Sequence, residues 1–214
     1  MILRWTYHSN AIEGNTLPLL ETKVVLEGIT VGGKALREHF EAINHREAIY
    51  YVEDIIRKEE PFSEWQIRNI HQLILKNIDD DNAGRYRQQI VLISGASQIP
   101  PDHSVLNDKM AQLIDWYNSE AKQLHPIQRA AKVHTDFVAT HPFIDGNGRT
   151  SRLLMNLELM KVGYPPCVLT VENRLAYYEA LDQCMAFGKT EPFVQLVADA
   201  VLEGFKPYQV VLGI

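Results

Sequence analysis

Residues 141–152 read HPFIDGNGRTSR. A histidine, a carboxylate, two close glycines and two arginines stand together, which is poor material for a core and good material for handling an anion. His141 titrates near neutrality and can take a proton from a nucleophile. Gly146, Asn147 and Gly148 tolerate positive φ, so their N–H groups can converge on one point. A helix is expected to begin near Gly148, and its start adds free backbone donors and the positive end of the helix dipole. Arg149 and Arg152, at i and i+3, share that first turn. Cations there oppose the dipole, so they are placed for a ligand's charge rather than for helix stability. Asp145 is a carboxylate that could ligate Mg²⁺ beside a phosphate. Singly, each residue fits a plain helix–helix turn with solvated arginines. In this order they describe a phosphate site with a base beside it.

A second unusual stretch lies at residues 8–16, HSNAIEGNT. Ser9 and Glu13 are i and i+4, on one helical face, and Gly14 or Asn15 would end that turn. Alone, this is a short amphipathic helix with a solvated glutamate. GITVGGKA at 28–35 nearly spells a phosphate loop. Ala35 replaces the hydroxyl such a loop needs, and a helix rather than a strand precedes it, so it reads as a turn. His39 and His45 lack zinc spacing, and the histidines other than His141 read as surface or core residues.

The elements that must hold these residues are helical. Helices are expected over 18–27, 35–58, 104–122, 126–140, 149–162, 172–187 and 190–206, with Pro126 in a first turn. Ser63 and Gln66 have capping-box spacing at the head of another. Residues 84–101, GRYRQQIVLISGASQIPP, carry β-branched residues around a Ser-Gly turn and end in Pro-Pro, which predicts a small hairpin. No linker or second core interrupts the 214 residues.

Composition narrows the classes. A net charge of −6 with no basic run argues against nucleic-acid binding. Two cysteines, Cys167 and Cys184, suit a reducing compartment rather than a disulfide scaffold. No apolar run approaches the ~20 residues that span a bilayer, and MILRWTYHSN holds no leader core. The expectation is a cytoplasmic chain with no membrane partner.

The stretch 141–152 matches, at every defined position, H-P-F-x-[DE]-G-N-[GK]-R-x-x-R, and on it the chain resembles the Fic family. The resemblance runs from about residue 5 to 200. GRYR, IPP and GYPP are similar to segments of the eukaryotic endoplasmic-reticulum members, while the lack of their anchor and repeat region points to a compact bacterial relative. The resemblance implies an all-α, mainly helical fold: a bundle around a central helix–loop–helix with a β-hairpin flap at 84–98. It implies one domain over 1–214, with an inhibitory segment at 1–17 and the catalytic loop and helix start at 141–152.

It also implies transfer of AMP from ATP to a Ser, Thr or Tyr hydroxyl of a protein, the enzyme itself included, with release of pyrophosphate. His141 would be the base and Asp145 the Mg²⁺ ligand. Gly146, Asn147 and Gly148 would cradle phosphate oxygens, and Arg149 and Arg152 would hold the β- and γ-phosphates. Gly148 stands where a kinase-like branch has lysine. Flap residues Val91, Leu92, Ile93 and Ser94 would pair with an extended target segment, and Tyr177 would contact adenine. Met185 replaces an asparagine of that adenine pocket, which leaves UTP or GTP as other donors. Ser9 and Glu13 match the family's inhibitory motif [ST]-x-x-x-E-[GN]. Glu13 on Arg152 would place negative charge where the γ-phosphate belongs; Glu13 orienting water would instead remove AMP from a modified protein. A non-catalytic nucleotide-binding regulator is the reading from another class, and His141 argues against it. Association into a homodimer through residues 18–58 is consistent with the resemblance.

Overall fold

The computed structural model describes residues 1–93 and 95–213, so the expectation for Ser94 lies outside the described residues. Nine α-helices form among them: α1 Ile2–Ile12, α2 Leu19–Leu26, α3 Leu36–Arg57, α4 Glu64–Leu75, α5 Leu106–Asn118, α6 Pro126–Thr140, α7 Asn147–Lys161, α8 Arg174–Phe187 and α9 Glu191–Leu212. The expected helices are present with ends displaced by a few residues, as fraying allows. Pro126 opens α6, where its missing N–H is not needed, and the His125 ring accepts from the Ile127 N–H at 3.3 Å. At α4 the Ser63 hydroxyl meets the Gln66 side chain rather than a backbone N–H, so the expected cap is only half made.

α7 is the axis of the molecule. Its side chains from Arg149 to Leu159 are all buried, which a surface helix never is. Leu153, Leu154 and Leu157 pack into one apolar core with Trp5, Ile49, Ile70, Phe137 and Phe143. Met155 and Leu159 pack into a second with Ile12, Tyr177, Phe193 and Val197. α1 lies across this arrangement and contributes to both cores, through Trp5 and Ile12. The helical bundle around a central helix–loop–helix is therefore present.

The flap differs from the expected hairpin. Among the described residues of 84–98 no strand forms. The two arms are joined by one side chain instead of a ladder. Arg87, 3 % exposed, donates to the carbonyls of Gln89 (2.8 Å), Pro101 (2.6 Å) and His141 (2.9 Å). Among the described residues, a guanidinium reaching three carbonyls takes the place of cross-strand pairs. Beyond the turn, Ser97 donates through its N–H and hydroxyl to the two Asp182 carboxylate oxygens of α8, each at 2.7 Å.

Candidate active site

The loop from His141 to Gly146 joins α6 to α7. His141 ends α6 in the left-handed conformation, φ 47°, while its N–H still donates to the Phe137 carbonyl at 3.0 Å. A non-glycine residue held at positive φ costs about 1–3 kcal/mol and survives where its surroundings fix it. Here Arg87 fixes it, through the His141 carbonyl. Burial, and then the Arg87 charge, push the imidazole down to about 4, so the ring is neutral at pH 7 and free to accept a proton. Its Nδ1 is buried without a partner. An anionic phosphate beside it would raise its basicity toward the useful range.

Asp145 is a crossing of charges. Its Oδ1 accepts from the Gly146 N–H at 2.6 Å and from Arg149 Nη2 at 3.2 Å, and its Oδ2 pairs with Arg37 of α3. Burial pushes this carboxyl up, but Arg149, the Gly146 N–H and Arg37 outweigh burial and hold it below the usual carboxylate range. The carbonyl of Asp145 is held by His71, whose Nδ1 accepts from the Gly84 N–H at 2.9 Å. That fixes the proton on Nε2, which donates to Asp145 at 2.9 Å. The His71 ring also stacks on Phe143, 3.5 Å between centroids. Sequence reading placed His71 in the core or on the surface; it is a core residue that shapes the loop, and only its partners 13 and 74 residues away reveal it.

Of Gly146, Asn147 and Gly148, only Gly146 has positive φ, 75°. Asn147 and Gly148 are instead the first two residues of α7, so their N–H groups belong to the open helix start. The donors expected from a looped backbone come from a helix end. The Asn147 side chain is not free to cradle phosphate. Its Oδ1 accepts from the Phe143 N–H at 3.0 Å, and its Nδ2 donates to the Phe143 carbonyl at 2.8 Å, bracing the loop. Gly146 is required by φ and by space, since a Cβ there would lie 3.2 Å from His71 Nε2 and 3.1 Å from Ile74.

The two arginines differ in state. Arg149 is 2 % exposed and ion-paired with Glu41 at 3.3 Å and Asp145 at 3.2 Å, yet its Nε and Nη1 make no hydrogen bond. Nη1 still faces Glu41, so Nε is the buried donor that, among the described residues, is open to a ligand's acceptor oxygen. Arg152, equally buried, uses all three of its nitrogens. Nε donates to the Ser9 hydroxyl (3.0 Å), Nη1 to the Tyr177 hydroxyl (3.3 Å), and Nη2 to the Ser9 carbonyl (2.8 Å) and Glu13 Oε1 (2.7 Å). Ser9 and Glu13 thus meet Arg152 across more than 130 residues of chain, as their spacing on α1 requires. The Glu13 carboxylate also lies over Gly148, where any side chain would run into it.

Tyr177 does not present a face to a base. It is 1 % exposed, its hydroxyl bonds Arg152 and His134, and its ring sits in the second core. Tyr178, next along α8, is the exposed member of the pair and donates to the Ile12 carbonyl at 3.2 Å. In the flap, Leu92 is 76 % exposed, while Val91 and Ile93 are half-buried. Sequence reading also missed Glu41. Its pairing with Arg149 and Arg37 is invisible in one dimension, although Arg37 and Glu41 stand at i and i+4.

The same loop and helices occur in known proteins. The Fic/DOC family model matches residues 61–159. A Fic domain containing signaling protein from Bacteroides thetaiotaomicron superposes with a TM-score of 0.88 at 31 % identity, over 95 % of this chain and 83 % of that one. The chain belongs to the Fic/DOC family. Fic-1 from Caenorhabditis elegans superposes with a TM-score of 0.90 at 36 % identity, over 99 % of this chain and 63 % of that one. A curated relative named protein adenylyltransferase Fic, from Nematostella vectensis, is 42 % identical over 90 % of this chain and 45 % of its own length. This Fic/DOC chain spans less than half the length of the curated relatives it matches. Among the described residues, no helix is long and apolar enough to cross a membrane.

Proposed function

We propose that this chain is a protein adenylyltransferase held off by its own α1. The observation that carries the reading is the pairing of Glu13 with Arg152 beside an open helix start and a neutral His141. The oxygen of a target Ser, Thr or Tyr attacks the α-phosphorus of ATP, and its proton passes to His141. A new P–O bond forms as the bond to the β-phosphate breaks, and pyrophosphate leaves. The Asn147 and Gly148 N–H groups and the open Nε of Arg149 receive phosphate oxygens. Arg152 holds the β- and γ-phosphates once Glu13 gives it up.

Asp145 fits a Mg²⁺ ion carried on phosphates. It is a single ionised carboxylate, and among the described residues no cluster of three or more ligating side chains offers an all-protein cage. Bound at Asp145, such an ion would supply charge screening for the phosphates.

Glu13 blocks because its carboxylate and the γ-phosphate are both negative and contend for one arginine. At ~4 Å in a partly buried site two like charges repel by several kcal/mol, and a donor shifted by ~1 Å can lose a hundredfold in rate. A second activity is favoured by the exposure of Glu13, whose side chain is 32 % accessible. Its outer oxygen can hold water for hydrolysis of AMP from a modified target in the same pocket. Exposed Leu20, Ile29 and Leu36 on the α2–α3 side support a homodimer, and the free Cys167 and Cys184 support a cytoplasmic location. The donor is tested with α-labelled ATP, UTP and GTP on Glu13→Gly and on Glu13→Gly with His141→Ala. Label from ATP alone, lost with His141, is expected. Equal label from all three would overturn the choice of donor, and label persisting without His141 would overturn its role as base.

A further inference from the structure

Arg37 is not accounted for by phosphate binding or by the Glu13 contact. It stands on α3, and its Nη2 pairs with Asp145 Oδ2, on a carboxylate whose other oxygen already carries the Gly146 N–H and Arg149. Its Nε donates to Glu41 Oε1 at 3.1 Å, and Arg149 Nη1 lies 3.3 Å from that same oxygen. Four charges therefore alternate around a ring: Asp145, Arg37, Glu41, Arg149. The remaining Glu41 oxygen accepts from the Asn15 side chain at 2.8 Å. Asn15 lies two residues beyond Glu13, and its Nδ2 also donates to the Glu38 carbonyl at 3.1 Å. The segment that carries the brake is thus tied to the residue that steadies Arg37.

We propose that Arg37 is a second restraint: it competes with the divalent cation for the Asp145 carboxylate, so that α3 sets how much metal the enzyme needs. The inference deepens the reading of Asp145 as the cation's ligand and rests on it. A guanidinium and a divalent cation both need that carboxylate, and their mutual repulsion prevents both from sitting on it closely. Arg37 is suited to leave, because its side chain is 55 % exposed and water can receive it. The pair is accordingly a modest barrier rather than a fixed strut. Glu41 is the resting place for the displaced charge, since its contact with Arg37 Nε need not break when Nη2 lets go. A mere structural contact would predict no link between Arg37 and metal demand.

The test measures metal directly. Mn²⁺ is titrated into full-length protein saturated with a non-hydrolysable ATP analogue, with free Mn²⁺ followed by electron paramagnetic resonance. Wild type is compared with Arg37→Gln, Asp145→Asn and Arg57→Gln. Arg57→Gln removes the same charge from the far end of α3, about 30 Å away at 1.5 Å per residue. Arg37→Gln is expected to bind Mn²⁺ about two- to fivefold tighter, the range of an exposed ion pair. Arg57→Gln should match wild type and Asp145→Asn should bind more weakly. In a Glu13→Gly background, Arg37→Gln should lower the Mg²⁺ concentration for half-maximal AMP transfer by the same factor. Superimposable Mn²⁺ curves for wild type and Arg37→Gln, with Asp145→Asn weakened, overturn the competition. An equal gain in Arg57→Gln also overturns it, because the effect is then general charge. Wild-type affinity in Asp145→Asn instead overturns the reading of Asp145 on which the inference stands.

Discussion

Gly148 has the Glu13 carboxylate where its own side chain would be, and Arg152 Nη1 next nearest at 3.2 Å. The glycine is therefore a condition of the Glu13–Arg152 contact. Gly148→Ala should displace the flexible end of Glu13 and destabilise the wild type by about 1 kcal/mol, the low end of overpacking. The same change in Glu13→Gly should lose little, because the main obstacle is gone. Denaturant midpoints of the four proteins give the coupling, and additive effects would separate the two residues. His71 makes a second prediction. Burial lowers it from 6.5 to about 4, so between those values the unfolded chain binds more protons than the folded one. Stability is complete above the unfolded value and falls as pH drops toward the folded one, by about 3 kcal/mol for this ring. Urea unfolding at neutral and mildly acidic pH should show that loss, and His71→Asn should show a smaller one.

At the scale of elements, the proposed function requires α1 to release Arg152. α1 docks partly through buried polar groups that lack partners among the described residues, Trp5 Nε1, Thr6 Oγ1 and Asn10 Oδ1, and the Trp5 ring packs edge-on against His45, whose ring nitrogens are in the same condition. Each buried unmet group costs about 1–3 kcal/mol, which offsets the apolar contacts of Trp5 and Ile12. Thr6→Val should therefore raise stability by up to about 1 kcal/mol and lower basal AMP transfer, because α1 is held more firmly. Unchanged labelling with a raised midpoint would show that α1 does not leave during turnover. The flap depends on Arg87. Arg87→Ala should raise KM for the protein target more than for ATP and open residues 88–100 to proteolysis. The helices, and Ser9 and Glu13 lying on one side toward Arg152, were legible because a 3.6-residue period places both on one face. The flap's lack of a ladder was not, because β-branched residues record a preference for extended backbone and say nothing of an arginine that bridges the arms.

Over the whole molecule, α7 joins two cores, so the site is held from both sides by its own helix. Glu158 near the end of α7 is fully buried, paired with Arg129 at 3.0 Å and accepting from the Tyr117 hydroxyl at 2.8 Å. Glu158→Ala leaves Arg129 without its partner and should destabilise by about 3 kcal/mol or more, with the nucleotide preference of the surviving fold unchanged. The twelve residues from His141 to Arg152 stand out in the sequence because base, carboxylate and arginines fall in one run, which forms the α6–α7 loop and the first two turns of α7. Arg37, Glu41, His71 and Arg87 were hidden because each acts over a gap in sequence that only packing closes. For Tyr177 the sequence left an adenine contact and a core tyrosine open, and its side chain is buried in the second core while Tyr178 beside it is exposed. The central claim is that Glu13 holds Arg152 away from ATP. The rate of AMP incorporation from α-labelled ATP, measured for wild type and Glu13→Gly side by side, tests it most directly. At least a tenfold rise in Glu13→Gly is the result this account predicts; equal rates, with ATP bound by both proteins, would contradict it.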